Sequence, residues 1–176
     1  MFNGNCLFLD SRKEQFKLWL AAYNYKYKQN ITYLENNNKP NLSNSWLCGF
    51  TDAEGCFTCS IIDKPTNGGL VRLRYILSQK GNYDQMKYLA DMLNGKTHYL
   101  KSYSGYNMTV NTTKLGLVIK YFDLYPFKTK KHIVYFNWNK MYKLIVDKKH
   151  LTADGLTAPL LLSSFFFQKN EERRTY

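Results

Sequence analysis

Leu47-Cys48-Gly49-Phe50-Thr51-Asp52-Ala53-Glu54-Gly55 is the stretch on which the reading of this chain turns. It reads as the end of a helix running from Ser43 to Glu54, with Ser43 or Asn44 as the N-cap and Gly55 as the stop. Cys48, Gly49 and Ala53 make one side of that helix slim enough for a second helix to approach closely. Asp52 and Glu54 fall at its C-terminal end, where the helix dipole is already negative. Carboxylates placed there call for a compensating cation. Mg²⁺ held by carboxylate, water and substrate phosphate would supply one.

Outward from this segment, hydrophobic periodicity alternates between two and 3.6 residues. Phe57 to Lys64 and Leu70 to Gln79 read as strands around the turn Pro65-Thr66-Asn67-Gly68-Gly69. Asp84 to Leu93 reads as a helix stopped by Asn94-Gly95. Thr97 to Tyr103 and Tyr106 to Thr112 form a second hairpin around Ser104-Gly105. A helix over Lys114 to Phe122 is broken by Tyr125-Pro126, and Lys131 to Asp147 forms a longer one with an aromatic stripe. The order predicts an α+β fold with one antiparallel sheet. The core domain spans 43–148, with an N-terminal extension over 1–42 and a tail over 149–176. Within the extension, Ser11 to Tyr25 reads as an amphipathic helix through Phe16, Leu18, Trp19, Leu20 and Tyr23, and Glu35 to Ser45 reads as a linker. In the tail, Leu151 to Leu156 could begin a helix before Pro159.

One face of the predicted sheet is apolar: Phe57, Cys59 and Ile61, then Val71, Leu73, Tyr75 and Leu77. The other carries Thr58, Ser60, Ile62 and Lys64, then Arg72, Arg74, Ile76 and Ser78, then Asn107, Thr109 and Asn111. With Lys80, Lys101 and Lys128, the polar members of this set are side chains that contact phosphates and base edges. The chain has 25 Lys+Arg against 13 Asp+Glu, a net charge of +12, so an anionic partner is expected. Hydrophobic residues make up 44%, enough for a packed core.

The N-terminal residues lack the basic-then-apolar pattern of a secretory signal. The longest apolar run, Leu160 to Phe167, is interrupted by Ser163 and Ser164, so no membrane span or membrane partner is expected. Cys56 and Cys59 have half a zinc-site spacing, but no second Cys or His pair completes it. Cys6, Cys48, Cys56 and Cys59 read as small buried thiols, as in a reducing compartment. The vocabulary rich in Lys, Asn, Tyr, Phe and Ile is what AT-rich codons produce. It points to an organelle-encoded protein, mitochondrial or chloroplast.

The motif Leu47-x-Gly49-x-x-Asp52-Ala53-Glu54-Gly55 resembles that of the LAGLIDADG homing-endonuclease family, with Glu54 in place of Asp. The resemblance implies a saddle-shaped sheet over DNA and an αββαββα domain. It implies site-specific cleavage of both strands with Mg²⁺ or Mn²⁺, leaving short 3′ overhangs. It places Glu54 as the metal-binding acid and Asp52 as the acid at the helix pair. Leu47, Cys48, Gly49 and Ala53 would line that pair. Gln79 would order water near the scissile phosphate. Lys130 would polarise that water or steady the phosphate, with Lys128 and Lys131 as neighbours able to take the role. Gly81-Asn82-Tyr83 departs from members that carry a basic residue there, and the tail departs from the charged helix of relatives. The chain carries one motif, whereas the family's active sites need two. A homodimer, or a separate chain carrying the other half, is therefore implied. Phe2-Asn3-Gly4-Asn5, Arg12 to Phe16 and Trp19 resemble the entry to the second half of two-motif intron-encoded members. The alternative reading is a non-cutting RNA-binding module, an intron-splicing maturase or an organellar ribosome component, gripping RNA by shape and phosphate.

Overall fold

The computed structural model describes residues 3–4, 7–62 and 70–149. The predicted turn at 65–69, Lys64, Cys6 and the tail lie outside them. The elements are α1 (Asp10–Tyr27), α2 (Trp46–Glu54), β1 (Gly55–Ile62), β2 (Leu70–Lys80), α3 (Tyr83–Met92), β3 (Lys96–Leu100), β4 (Gly105–Asn111), α4 (Gly116–Leu124) and α5 (Lys131–Val146). The four strands form one antiparallel sheet in the order β1-β2-β4-β3. The fold is α+β, as the sequence predicts.

Alternation places the faces as expected. Phe57, Cys59, Val71, Leu73, Tyr75, Leu77, Met108 and Val110 are buried beneath the helices. Trp138 of α5 is fully buried against Phe57, with ring centroids 4.9 Å apart. Its indole N–H donates to the carbonyl of Thr58 at 3.0 Å. The buried Tyr75 hydroxyl pairs with that of Thr51 at 2.6 Å, fixing α2 to the central strand β2. At the other end of α2, Tyr121 donates to the carbonyl of Asn44 at 2.8 Å and accepts the N–H of Cys48 at 3.0 Å. Burial pushes its phenol up to about 12.

Several boundaries differ from the sequence reading. Helix α2 starts at Trp46, not Ser43. Asn41 accepts the N–H of Ser43, and Asn44 accepts that of Trp46, so side-chain turns hold this segment out of the helix. Gly55 ends α2 in an extended conformation and opens β1 without a left-handed cap. Its need for glycine is space: a Cβ there would lie 2.3 Å from Thr51 Cγ2. Strand β3 stops at Leu100, and Lys101–Tyr103 forms a 3-10 turn, so Lys101 is not on a strand. Thr112–Lys114 is likewise a 3-10 turn ahead of α4. Gly105 lets β4 pass Gln79, whose carbonyl would lie 2.7 Å from a Cβ.

Helix α1 is longer than predicted, and its amphipathic reading fails. Only Leu20 is buried, while Leu18 and Trp19 are 74% and 55% exposed. Phe16, Trp19, Tyr23 and Tyr27 fall along one side of the helix and pack on each other instead of on the core. The extension docks through other groups. Phe8 contacts Trp46 and Tyr88, Gln85 donates to Asp10, and Tyr88 donates to the carbonyl of Pro40. The predicted linker is pinned in places, with Asn36 donating to the carbonyl of Gly4 at 2.9 Å.

Candidate active site and nucleic-acid interface

The C-terminal end of α2 meets the N-terminal end of α5. Thr129 donates its hydroxyl proton to Asp52 at 2.6 Å and accepts the backbone N–H of Lys131 at 3.1 Å. Asp52 is thereby tied to a helix start, where the dipole favours negative charge. The ammonium of Lys131 donates to the carbonyls of Thr51 at 2.7 Å and Gly55 at 2.6 Å. A cation thus caps the negative end of α2. This supplies, from within the chain, part of the compensation the motif requires.

Glu54 is treated differently. It is half-buried, and among the described residues no side chain or backbone group hydrogen-bonds or ion-pairs with it. Its carboxylate remains available to a ligand from outside. In the register, Gly55 lies opposite Leu77, so Gln79 stands two residues beyond on β2, half-buried near the same corner. Lys130 and Lys128 are exposed. Of the three lysines considered, Lys131 is the one bonded at the carboxylate end of α2. Sequence reasoning put Lys130 first and did not single out Thr129. Neither choice had a local signal, because the start of α5 follows a run in which three of four residues are Lys.

Of the residues expected at a helix pair, Leu47 is fully buried in this chain's own core and Cys48 is 6% exposed. Gly49 and Ala53 face outward, with open space where a Gly49 side chain would stand. Burial pushes the Cys48 thiol up, the Asp52 charge adds to that, and Lys128 opposes it. Cys48 and Cys59 are buried as expected, but Cys56 is exposed, because residues three apart on a strand take opposite faces; burial raises the Cys59 thiol to about 11.

The second face of the sheet is mainly polar and basic, with Ile76 as an apolar side chain among the others. Register places Thr58, Arg74 and Asn111 in one cross-strand row, and Ser60 beside Arg72. Cys56, Ile76, Thr109 and Lys96 form another row, and Ser78, Asn107 and His98 a third. Lys80 is exposed at the end of β2. No Asp or Glu occurs in any of the four strands. Lys96 and His98 were missed by the sequence reading, although the period of two in β3 marks them as it marks the rest. A pocket of about 580 Å³ opens on this face between Arg72, Arg74, His98, Thr109 and Asn111.

Among the described residues, no three His, Cys, Asp or Glu side chains converge on a point, and no helix is long and apolar enough to cross a membrane. An antiparallel sheet with one basic face, and an unpaired carboxylate where two helix ends meet, define a domain suited to handling a polyanion. Residues 47–142 match the family described as LAGLIDADG endonuclease, and the chain belongs to that family. It is 64% identical over 157 residues to the Neurospora crassa protein named "probable intron-encoded endonuclease 4". That match covers 89% of this chain and 29% of the relative. It is 37% identical over 135 residues to an "uncharacterized cox1 intron-2 37.2 kDa protein" of Schizosaccharomyces pombe, covering 75% and 40% respectively. The chain therefore spans less than half the length of these relatives. Among solved structures, the I-LtrWI LAGLIDADG homing endonuclease bound to target DNA superposes with a TM-score of 0.64 and 26% identity. The superposition covers 80% of this chain and 50% of that one. The I-SmaMI structure shares the fold at a TM-score of 0.67 and 22% identity, covering 81% and 51%.

Proposed function

We propose that this chain forms one half of a site-specific double-strand DNA endonuclease that hydrolyses phosphodiesters with a divalent metal. The observation that carries the reading is the Glu54 carboxylate, unpaired at the end of α2 beside a sheet face free of acids. Membership of the family and the DNA-bound I-LtrWI structure support it.

Glu54 offers a hard oxygen donor, which suits Mg²⁺ or Mn²⁺ over softer metals. One carboxylate is too few to hold such an ion alone. The remaining ligands would be substrate phosphate, water and the acid of a second motif. A bound ion supplies charge stabilisation to the phosphate under attack. Lys131 holds the end of α2 in place and brings positive charge to the same corner. Gln79 orders water there through its amide. Lys130 and Lys128 extend the basic approach to the phosphate. Gly49 and Ala53 give α2 an open side for the second motif helix, whether from another copy of this chain or from a separate chain carrying the other half. Thr58, Ser60, Arg72, Arg74, Ser78, Asn107, Thr109 and Asn111 hold the duplex and read it, joined by Lys96 and His98. The intron-borne relatives support an organelle-encoded origin, mitochondrial or chloroplast.

The test is cleavage of a DNA library with Mg²⁺ by the wild type, Glu54→Gln, Lys131→Met and Lys130→Met. The expected result is cutting at one long site, lost in Glu54→Gln and weakened more by Lys131→Met than by Lys130→Met. Absence of cutting, together with salt-sensitive RNA binding that Glu54→Gln leaves unchanged, refutes the nuclease in favour of an RNA-binding module.

A further inference from the structure

Arg74 has an unusual position on the polar face. It stands on β2, an inner strand of the sheet, with Thr58 of β1 on one side and Asn111 of β4 on the other. It is half-buried, whereas Arg72 and Lys80 on the same strand are exposed. Its Nε is fully covered and has no hydrogen-bond partner. Among the described residues, nothing hydrogen-bonds or ion-pairs with its guanidinium. A covered, unpaired N–H is costly, and native structures leave few of them. The group lines the pocket with His98, Thr109 and Asn111. Its fork is therefore held at the floor of the face, where the terminal nitrogens, and not the covered Nε, are the groups that an outside partner can meet.

A phosphate is a poor match for that position. Phosphates line the rims of a duplex groove, where the exposed Arg72 and Lys80 can reach them, while base edges face the middle of a surface laid into the groove. The base edge that presents two acceptors to an arginine fork is guanine, through O6 and N7. The next outward residue on β2 is Ile76, with Thr109 beside it. An apolar side chain in a major groove contacts the thymine methyl. Residues two apart on a strand are separated by roughly 6.8 Å. Successive phosphates of one DNA strand are about 3.4 Å apart along the axis, so the two side chains address positions about two base pairs apart. The register sets the direction, because Gly55 at the end of α2 lies opposite Leu77.

We infer that Arg74 is a specificity-determining residue for a guanine, and that Ile76 selects a thymine two base pairs nearer the cleavage centre. The inference rests on the reading of the chain as a DNA-recognising half, and it goes further by naming bases and their spacing.

The test is selection of bound duplexes from a randomised library by the full chain at low salt, without cleavage. Wild type, Arg74→Gln, Arg74→Lys and Ile76→Ser are compared. Wild type is expected to enrich a guanine and a thymine separated by two base pairs. Arg74→Gln loses the guanine preference, a change of about 5- to 150-fold against competing bases, and Arg74→Lys, which keeps a donor but not the fork, retains only part of it. Both variants keep the thymine, which also shows that they are folded. Ile76→Ser does the reverse. A guanine preference that survives Arg74→Gln, or a spacing other than two, overturns the inference and leaves the nuclease reading standing. Absence of any sequence-selective duplex binding by the wild type overturns both.

Discussion

Replacing Tyr75 by Phe leaves the Thr51 hydroxyl buried without its partner, and replacing Thr51 by Val does the same to the Tyr75 hydroxyl. Both residues are completely inaccessible and their oxygens are 2.6 Å apart. An orphaned buried polar group costs about 1–3 kcal/mol, so each single substitution should lose about 2 kcal/mol. Removing both hydroxyls together loses only the net value of one hydrogen bond, about 1 kcal/mol. Independent effects would instead sum to about 4 kcal/mol. In a chain of this size, 1 kcal/mol shifts Tm by about 2–4 °C. Each single variant should therefore melt about 4–8 °C below wild type, and the double variant only about 2–4 °C below. Thermal unfolding followed by circular dichroism, with urea titration as a second measure, decides it. A double variant whose loss equals the sum of the singles would refute the view that this bond clamps the motif helix to β2.

Three further outcomes follow from the geometry. Gly55→Ala places a methyl 2.3 Å from Thr51 Cγ2 and 2.8 Å from the Thr51 carbonyl. The backbone next to Glu54 must shift, at a cost of about 1–3 kcal/mol, and DNA cleavage should fall by more than stability alone explains. Burial holds the Cys59 thiol at about 11, above its ordinary 9.0, so the native chain keeps a proton that the unfolded chain releases. This contribution is whole below pH 9 and is lost as pH rises to 11; urea titrations across that range should show a decline that Cys59→Ala flattens. Lys96→Ala, on the exposed end of β3, should weaken DNA binding evenly across sequences. It should also reduce the slope of log affinity against log salt by about one, whereas an unchanged slope would remove Lys96 from the interface.

The sheet was legible because period-two alternation is a strong local signal. Val71, Leu73, Tyr75 and Leu77 are buried, and Arg72, Arg74, Ile76 and Ser78 face away, as the pattern requires. The motif was legible because its glycines and acids have physical roles at fixed spacing. Two things were not. The partner of Asp52 is Thr129, 77 positions away, and no local pattern encodes such a contact. The start of α5 could not be phased among Lys128, Lys130 and Lys131, because position around a helix is set by packing against α2. Helix α1 misled for a different reason. Aromatic residues at helical spacing read as a core-facing stripe, yet here they satisfy one another along the helix surface.

The indole of Trp138 reaches a carbonyl on an outermost strand of the sheet. Such an edge is a template for strand addition, by which folded chains zip together into aggregates. A newcomer strand at β1 would have to evict a side chain rooted in the core before it could claim the Thr58 carbonyl. Association by sheet extension is thus obstructed on that flank, while the bare glycine and alanine of α2 stay accessible. On the proposed reading, in which the chain works with a second half, this asymmetry disfavours polymerisation through the sheet edge and leaves the open side of α2 for pairing.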